Sequence, residues 1–163
     1  MAKLEGDTRR MLGVSRHEAA HAIVGNIVGL KIAHIAIWDT GEPVAEIYGG
    51  ASWGGECVWK KPGRTEQELI DEGYYKARLL ATFAAPCADF AWSGKNQGRG
   101  HGDDFKNIDW LIGMVNATRG GSPEIDMETA RAESMTLVVA NLREIDALAH
   151  QLILTGRIEM PFG

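Results

Sequence analysis

The stretch SRHEAAHAIV, residues 15–24, carries two histidines four positions apart within a run of small and apolar residues. Histidines at this spacing project from the same side of a helix, one turn apart, so both imidazoles can reach one ion. Glu18 directly follows His17 and flanks the pair, where its carboxylate can take a proton from a metal-bound water. The pattern therefore predicts a helix that binds zinc through His17 and His21, with Glu18 activating the zinc-bound water.

The helix that carries this motif is predicted to run from about Ser15 to Val28, with Gly29 ending it. Ser15 and Glu18 have the spacing of a capping box, in which the serine caps the helix and the glutamate bonds back to it. Because a capping role for Glu18 competes with a catalytic one, an earlier start of the helix is the alternative.

The rest of the chain predicts mostly helices, with a few strands. Branched residues predict strands at 32–38 and 44–48, whereas 53–64 reads as a loop or an irregular strand. A helix is predicted to begin at Thr65, in a capping box with Glu68, and to run towards Pro86, with a further helical piece from 86 to 92. Two more helices are predicted, one from Asp103 or Asp104 through 115 and one from Ser122 to about Gly156. We therefore expect one α+β domain over residues 1–163, mainly α-helical, with a small β-sheet inserted after the HExxH helix.

Composition and charge exclude several classes of function. The formal net charge of -5 argues against binding to nucleic-acid phosphates or to an anionic membrane surface. The longest apolar stretch, residues 22–38, is interrupted by polar residues and glycines and is too broken for a membrane span. Cys57 and Cys87 form no CxxC pair, which favours reduced thiols in the cytoplasm. We expect a soluble cytoplasmic protein that binds neither nucleic acid nor membrane.

A catalytic zinc site has three protein ligands and one position open to water, so a third ligand must come from elsewhere in the chain. The candidates are His34, His101, His150, Asp103 and Asp104. His34 falls in a predicted strand and His150 in a helix, where cross-strand, surface or capping roles are the simpler interpretations. The segment GHGDD, residues 100–104, is more suggestive, because a glycine-rich loop entering a helix can bring a carboxylate to another helix. Asp103 also has the simpler interpretation of a helix N-cap.

The motif of residues 15–24 resembles the zinc motif of the peptidase domain in FtsH-family membrane AAA+ proteases. Residues 81–90, ATFAAPCADF, look like the family's helix that ends in small residues and an acidic position. Residues 98–102 look like its glycine-rich loop, and Asp104-Phe105 like the step at which an aspartate provides the third zinc ligand. The resemblance thus implies a zincin-like metallopeptidase fold with Asp104 as third ligand, and it leaves Asp103 or His101 as alternatives. Residues 31–53 resemble the family's short sheet, with 44–51 as the expected edge for an extended substrate.

The chain also departs from that family. Ala20 stands where the family commonly has glycine, and the sequence contains no GxxxxGK[ST] motif, so we expect no ATPase domain. We therefore expect a zinc-dependent endopeptidase that hydrolyses peptides or unfolded protein substrates, alone, with a separate ATPase partner, or as a homo-oligomer. The alternative functions are a catalytically silent metal-binding adaptor or regulatory protein, and a helical protein without metal.

Overall fold

The computed structural model describes residues 2–41, 53–94 and 101–160, apart from the side chains of 2–7 and 101–103. In chain order the elements are α1 (Ala2–Ile27), β1 (Ile32–Asp39), β2 (Trp53–Trp59), α2 (Glu66–Asp71), α3 (Tyr74–Ser93), α4 (His101–Thr118), α5 (Met127–Ala140), α6 (Leu142–Thr155) and β3 (Arg157–Glu159). The strands form an antiparallel sheet in the order β2-β1-β3. The predicted α+β class, mainly helical with a small sheet after the first helix, is confirmed.

Helix α1 lies between the other helices and the sheet. On one side, Ala19, Ala20 and Val24 belong to a core that α3, α4, α5 and α6 complete. On the other side, Ala22 packs with the interior face of β1, which includes Ile35. All four of these α1 residues are fully buried. Because most of them are alanines, neighbouring elements approach the α1 backbone closely and enclose the polar side chains that it carries.

Strand β2 runs along α1, and glycines set the distance between the two elements. A Cβ atom on Gly55 would lie 2.8 Å from Cγ of Glu18, and one on Gly25 would lie 2.6 Å from Cζ3 of Trp59. Of the predicted loop or irregular strand at 53–64, residues 53–59 form strand β2, which pairs with β1 with one register irregularity between Ile32 and His34, and residues 60–64 lie outside helices and strands. Backbone pairing and packing on α1 outweigh the low strand propensity of adjacent glycines.

In the first half of the chain, several helix boundaries differ from those predicted from the sequence. Because α1 already begins at Ala2, the earlier start is confirmed, and Ser15 is a fully buried mid-helix residue, not the N-cap. The capping box of Thr65 and Glu68 is confirmed, but α2 is short, and Gly73 (φ 71°) separates it from α3. Pro86 does not end α3, because buried residues on both sides hold the helix together despite the cost of about 3 kcal/mol for an interior proline.

The second half also differs from prediction at its boundaries. Helix α4 begins at His101, earlier than the predicted start at Asp103 or Asp104. The next N-cap is Asp126, which accepts a hydrogen bond from the Thr129 backbone N–H at 2.7 Å, and not Ser122. One long predicted helix is divided at Asn141 into α5 and α6, and Gly156 ends α6 as expected.

Strand β3 was not predicted, and it pairs with β1 directly after α6. The predicted strand at 44–48, the expected substrate edge at 44–51 and the loop residues 98–100 lie outside the described residues. Within the described parts of the chain, no helix combines the length and apolar character needed to cross a membrane.

Candidate metal centre

Three side chains from two helices converge beside the core. His17 and His21 lie one turn apart on α1, and Asp104 comes from the first turn of α4. Oδ2 of Asp104 lies 3.0 Å from Nε2 of His17 and 3.6 Å from Nε2 of His21. One ligand atom from each residue lies within 4.8 Å of the other two, so the group could hold a metal ion. We call these three residues the metal triad.

The other ring nitrogen of each histidine has a hydrogen-bond acceptor. Nδ1 of His17 lies 2.8 Å from Oδ2 of Asp89, and Nδ1 of His21 lies 2.8 Å from the carbonyl oxygen of Ala81. An ionised carboxylate and a carbonyl can only accept, so each Nδ1 carries the hydrogen and donates it. In the neutral rings, Nε2 therefore presents its lone pair towards Asp104. This is the arrangement in which the outer partner of a histidine orients it for metal binding.

The environment of the Asp104 carboxylate indicates whether a metal ion fits the triad. Its Oδ2 atom is buried and has no hydrogen-bond partner among the described residues, although a ring nitrogen of each histidine lies within 3.6 Å. When both rings are neutral, three electron-pair donors face one another, an arrangement that a cation between them stabilises. Ligands at about 2.0–2.1 Å from one zinc ion in tetrahedral geometry are about 3.3 Å apart. The Asp104 distances of 3.0 and 3.6 Å lie on either side of that value.

The charges of the metal triad influence one another strongly. Burial lowers the pKa of His17, but the carboxylates of Asp104 and Asp89 outweigh it and raise this pKa well above its ordinary value. The pKa of His21 is also raised, because Asp104 outweighs the effect of burial. Burial raises the pKa of Asp104, yet the two imidazoles dominate and hold it well below its usual range. The site therefore favours an ionised carboxylate that attracts positive charge.

Glu18 lies beside the metal triad, on the side that faces the sheet. Its side chain fits against Gly55 of β2, and only 7% of the residue is exposed. Burial raises the pKa of Glu18, while the neighbouring His17 and His21 oppose that effect. Glu18 is therefore a carboxylate next to the triad that does not belong to it. Solvent reaches the triad mainly at His17 and Asp104, whose side chains are 14% and 15% exposed.

No protein-family model matches this chain. A search of curated proteins also finds no match. The structure brings His17, His21 and Asp104 together and has Glu18 beside them. Among the candidates for a third ligand, Asp104 is the one that the family resemblance implied.

The other candidates for a third ligand are not among the residues that the structure brings together in the triad. His34 bonds across the sheet to Glu56 at 2.9 Å, which confirms the cross-strand role. His150 is exposed on α6 and donates to the Asp146 carbonyl at 2.8 Å, which confirms a surface role. His101 and Asp103 lie in the first turn of α4, and their side chains are outside the described residues.

Sequence reasoning missed the residues that orient the metal triad. Asp89 is the one charged residue in the apolar segment 79–90, and a lone carboxylate in such a segment is costly to bury without a partner. That signal could have identified it as part of a polar site. The Ala81 carbonyl and Gly55 left no such signal, because their roles depend on which elements α1 contacts.

Proposed function

We propose that this protein is a zinc-dependent endopeptidase that hydrolyses peptide bonds of peptides or unfolded protein segments. The observation that carries the proposal is the convergence of His17, His21 and Asp104, with both imidazoles held through their outer nitrogens and Glu18 alongside. Two histidines and a carboxylate are a common ligand set of hydrolytic zinc sites, which keep a position open. Zinc is therefore the metal that we propose for the triad.

Each residue has a defined task in this proposal. His17, His21 and Asp104 would hold the ion, while Asp89 and the Ala81 carbonyl fix the imidazole orientations. When bound, zinc supplies a Lewis acid that polarises a peptide carbonyl and lowers the pKa of water. Glu18 takes the proton from the attacking water at its carboxylate and gives it to the leaving amine. The exposed edges of His17 and Asp104 provide the approach for the substrate.

The family likeness, the partner and the cellular location belong to the same proposal. The likeness to the FtsH peptidase domain stays a prediction from residues 15–24 and 81–105. A separate ATPase or a homo-oligomer is the partner that this likeness implies for unfolding a stable substrate. Cys57 and Cys87 are both free thiols, which supports a cytoplasmic location.

Glu18→Gln tests the proposed function directly. The substitution keeps the shape of the side chain but removes the base, so we expect hydrolysis of an unstructured fluorogenic peptide to fall by about 100-fold or more. The zinc content, measured by elemental analysis of the purified protein, should stay at about one ion per chain. Glu56→Gln, on the exposed face of β2, is the matched control and should leave both values unchanged.

Two outcomes would contradict the catalytic proposal in different ways. A wild-type chain that carries zinc but cuts no peptide or unfolded protein would favour the metal-binding adaptor or regulatory protein. A wild-type chain with a zinc-to-protein ratio near zero, even after zinc is supplied, would contradict both the endopeptidase and the metal-binding adaptor or regulatory protein.

A further inference from the structure

A cavity of about 330 Å³ lies at the end of α1, away from the first turns of that helix. It is lined by residues 28–31, by Trp59 with the following segment 60–64, by Leu69 and Glu72, and by the start of α3. Its volume is at the lower end of the range for small-molecule pockets, roughly 300–1,000 Å³. Leu30, Trp59 and Tyr74 give it an apolar side that can hold a short hydrocarbon or aromatic group.

The polar side of this cavity is basic. Lys31, Lys60, Lys61 and Arg64 line it, and the one acidic residue that lines it, Glu72, is in an ion pair with Arg64. None of the three lysines has an ion pair with a residue that the structure describes. The protein as a whole carries a formal charge of -5, so this concentration of positive charge runs against the overall balance. The lysines thus attract an anion to this cavity.

Trp59 connects the cavity with the metal triad. Its indole lines the cavity, and its ring centre lies 6.0 Å from that of His21 in an edge-to-face arrangement. Gly25 leaves the space that this indole occupies against α1. A molecule in the cavity would therefore contact a side chain that also contacts a residue of the triad. The indole N–H of Trp59 is a natural reporter for occupancy.

We propose that this cavity binds a carboxylate carried on an apolar body, with the apolar part against Leu30, Trp59 and Tyr74 and the carboxylate among the lysines. A free carboxylic acid and an acidic residue of a peptide both have this chemistry. The proposal rests on the cavity's own shape and charge, and it holds whether or not the metal triad hydrolyses peptides.

The test uses the full chain, loaded with zinc, and follows the Trp59 indole N–H by NMR, with Trp59→Phe to assign that signal. Octanoate represents the free acid, and acetylated, amidated Leu-Glu-Leu represents the peptide. For a ligand of ten non-hydrogen atoms at ordinary ligand efficiency, we expect a Kd of about 1 mM. Octanamide and Leu-Gln-Leu, which lack the charge, should bind at least about fivefold more weakly. Whichever charged probe binds more tightly identifies the source of the carboxylate.

Charge variants distinguish this cavity from nonspecific attraction. Lys60→Gln and Lys61→Gln remove exposed charges and should each raise the Kd about threefold, as exposed ion pairs contribute little individually. Lys106→Gln, on the exposed surface of α4 and outside the cavity, is the matched control and should leave the Kd unchanged. The inference is overturned if neither charged probe moves the indole signal up to about 20 mM, about twenty times the expected Kd. It is also overturned if octanamide binds as well as octanoate, or if Lys106→Gln weakens binding as much as the cavity variants.

Discussion

Two regions of the molecule bring histidine and carboxylate together at short distance, on opposite faces of strand β2. On the face towards α1, the metal triad has side chains that are 7–15% exposed. On the outer face, His34 and Glu56 are 2.9 Å apart, but the Glu56 side chain is 45% exposed. The Asp104 carboxylate lies beside two imidazoles whose outer nitrogens are hydrogen-bonded, whereas the exposed Glu56 carboxylate contacts one imidazole. Convergence and orientation, not a short contact, distinguish a candidate metal site from a surface pair.

The largest expected effect comes from removing a histidine of the triad. We expect His21→Ala to weaken zinc binding by more than about 100-fold, because loss of even an outer partner typically costs 10–100-fold. Competition with a chromophoric zinc chelator measures the affinity. His17→Ala, at a more exposed position, gives a second estimate should His21→Ala fold poorly.

His34→Ala is the matched control for this comparison, since it removes the histidine of the surface pair. It should leave zinc affinity unchanged and alter the free energy of unfolding by about 1 kcal/mol or less. Equal losses of zinc affinity in His34→Ala and His21→Ala would show that the buried group is not a distinct metal site.

Asp89 tests whether orientation of the imidazole contributes to metal binding. Asp89→Asn keeps an oxygen near Nδ1 of His17 but removes the charge, so we expect zinc affinity to fall by about 10–100-fold. Asp146→Asn provides the control. Asp146 of α6 pairs with Arg16, the neighbour of His17 on α1, but it does not contact the triad. An unchanged zinc affinity in Asp89→Asn would mean that the Asp89 carboxylate is only a structural partner of His17.

The smallest expected effect concerns the space beside Glu18. Gly55→Ala places a methyl group 2.8–2.9 Å from Glu18 and Val14, so the Glu18 carboxylate must move. We expect the free energy of unfolding to fall by about 1–2 kcal/mol, towards the lower end of the cost of overpacking. Peptide hydrolysis should fall by more than zinc affinity, because Glu18 is displaced and the ligands are not. Chemical denaturation and peptide cleavage measure the two effects.

Gly13→Ala is the control for this substitution within α1. An added Cβ at Gly13 has no neighbouring atom within 4 Å, so the alanine should stabilise the helix by about 0.5–1 kcal/mol. If Gly55→Ala were as stable and as active as the wild type, the close contact between β2 and Glu18 would not constrain the catalytic carboxylate.

The sequence by itself determined the local features of this protein. The spacing of His17 and His21 and the adjacency of Glu18 follow from helical geometry, which depends on neighbouring residues alone. The same is true of the Thr65 capping box and of Gly156, whose φ of 72° suits glycine at a helix end. Asp104 was selected through a family resemblance, not through local spacing.

Only the tertiary structure decided how the site is completed. The contact of His17 with Asp89 spans 72 positions and that of His21 with the Ala81 carbonyl spans 60, and no local pattern encodes such pairings. They arise because the alanines of α1 let α3 approach closely, which fixes the outer nitrogen of each imidazole. In the same way, residues 53–59 form a strand through pairing with β1, and Gly55 of that strand leaves the space that the Glu18 side chain occupies. Long-range packing converted two histidines on one helix into an oriented three-ligand group.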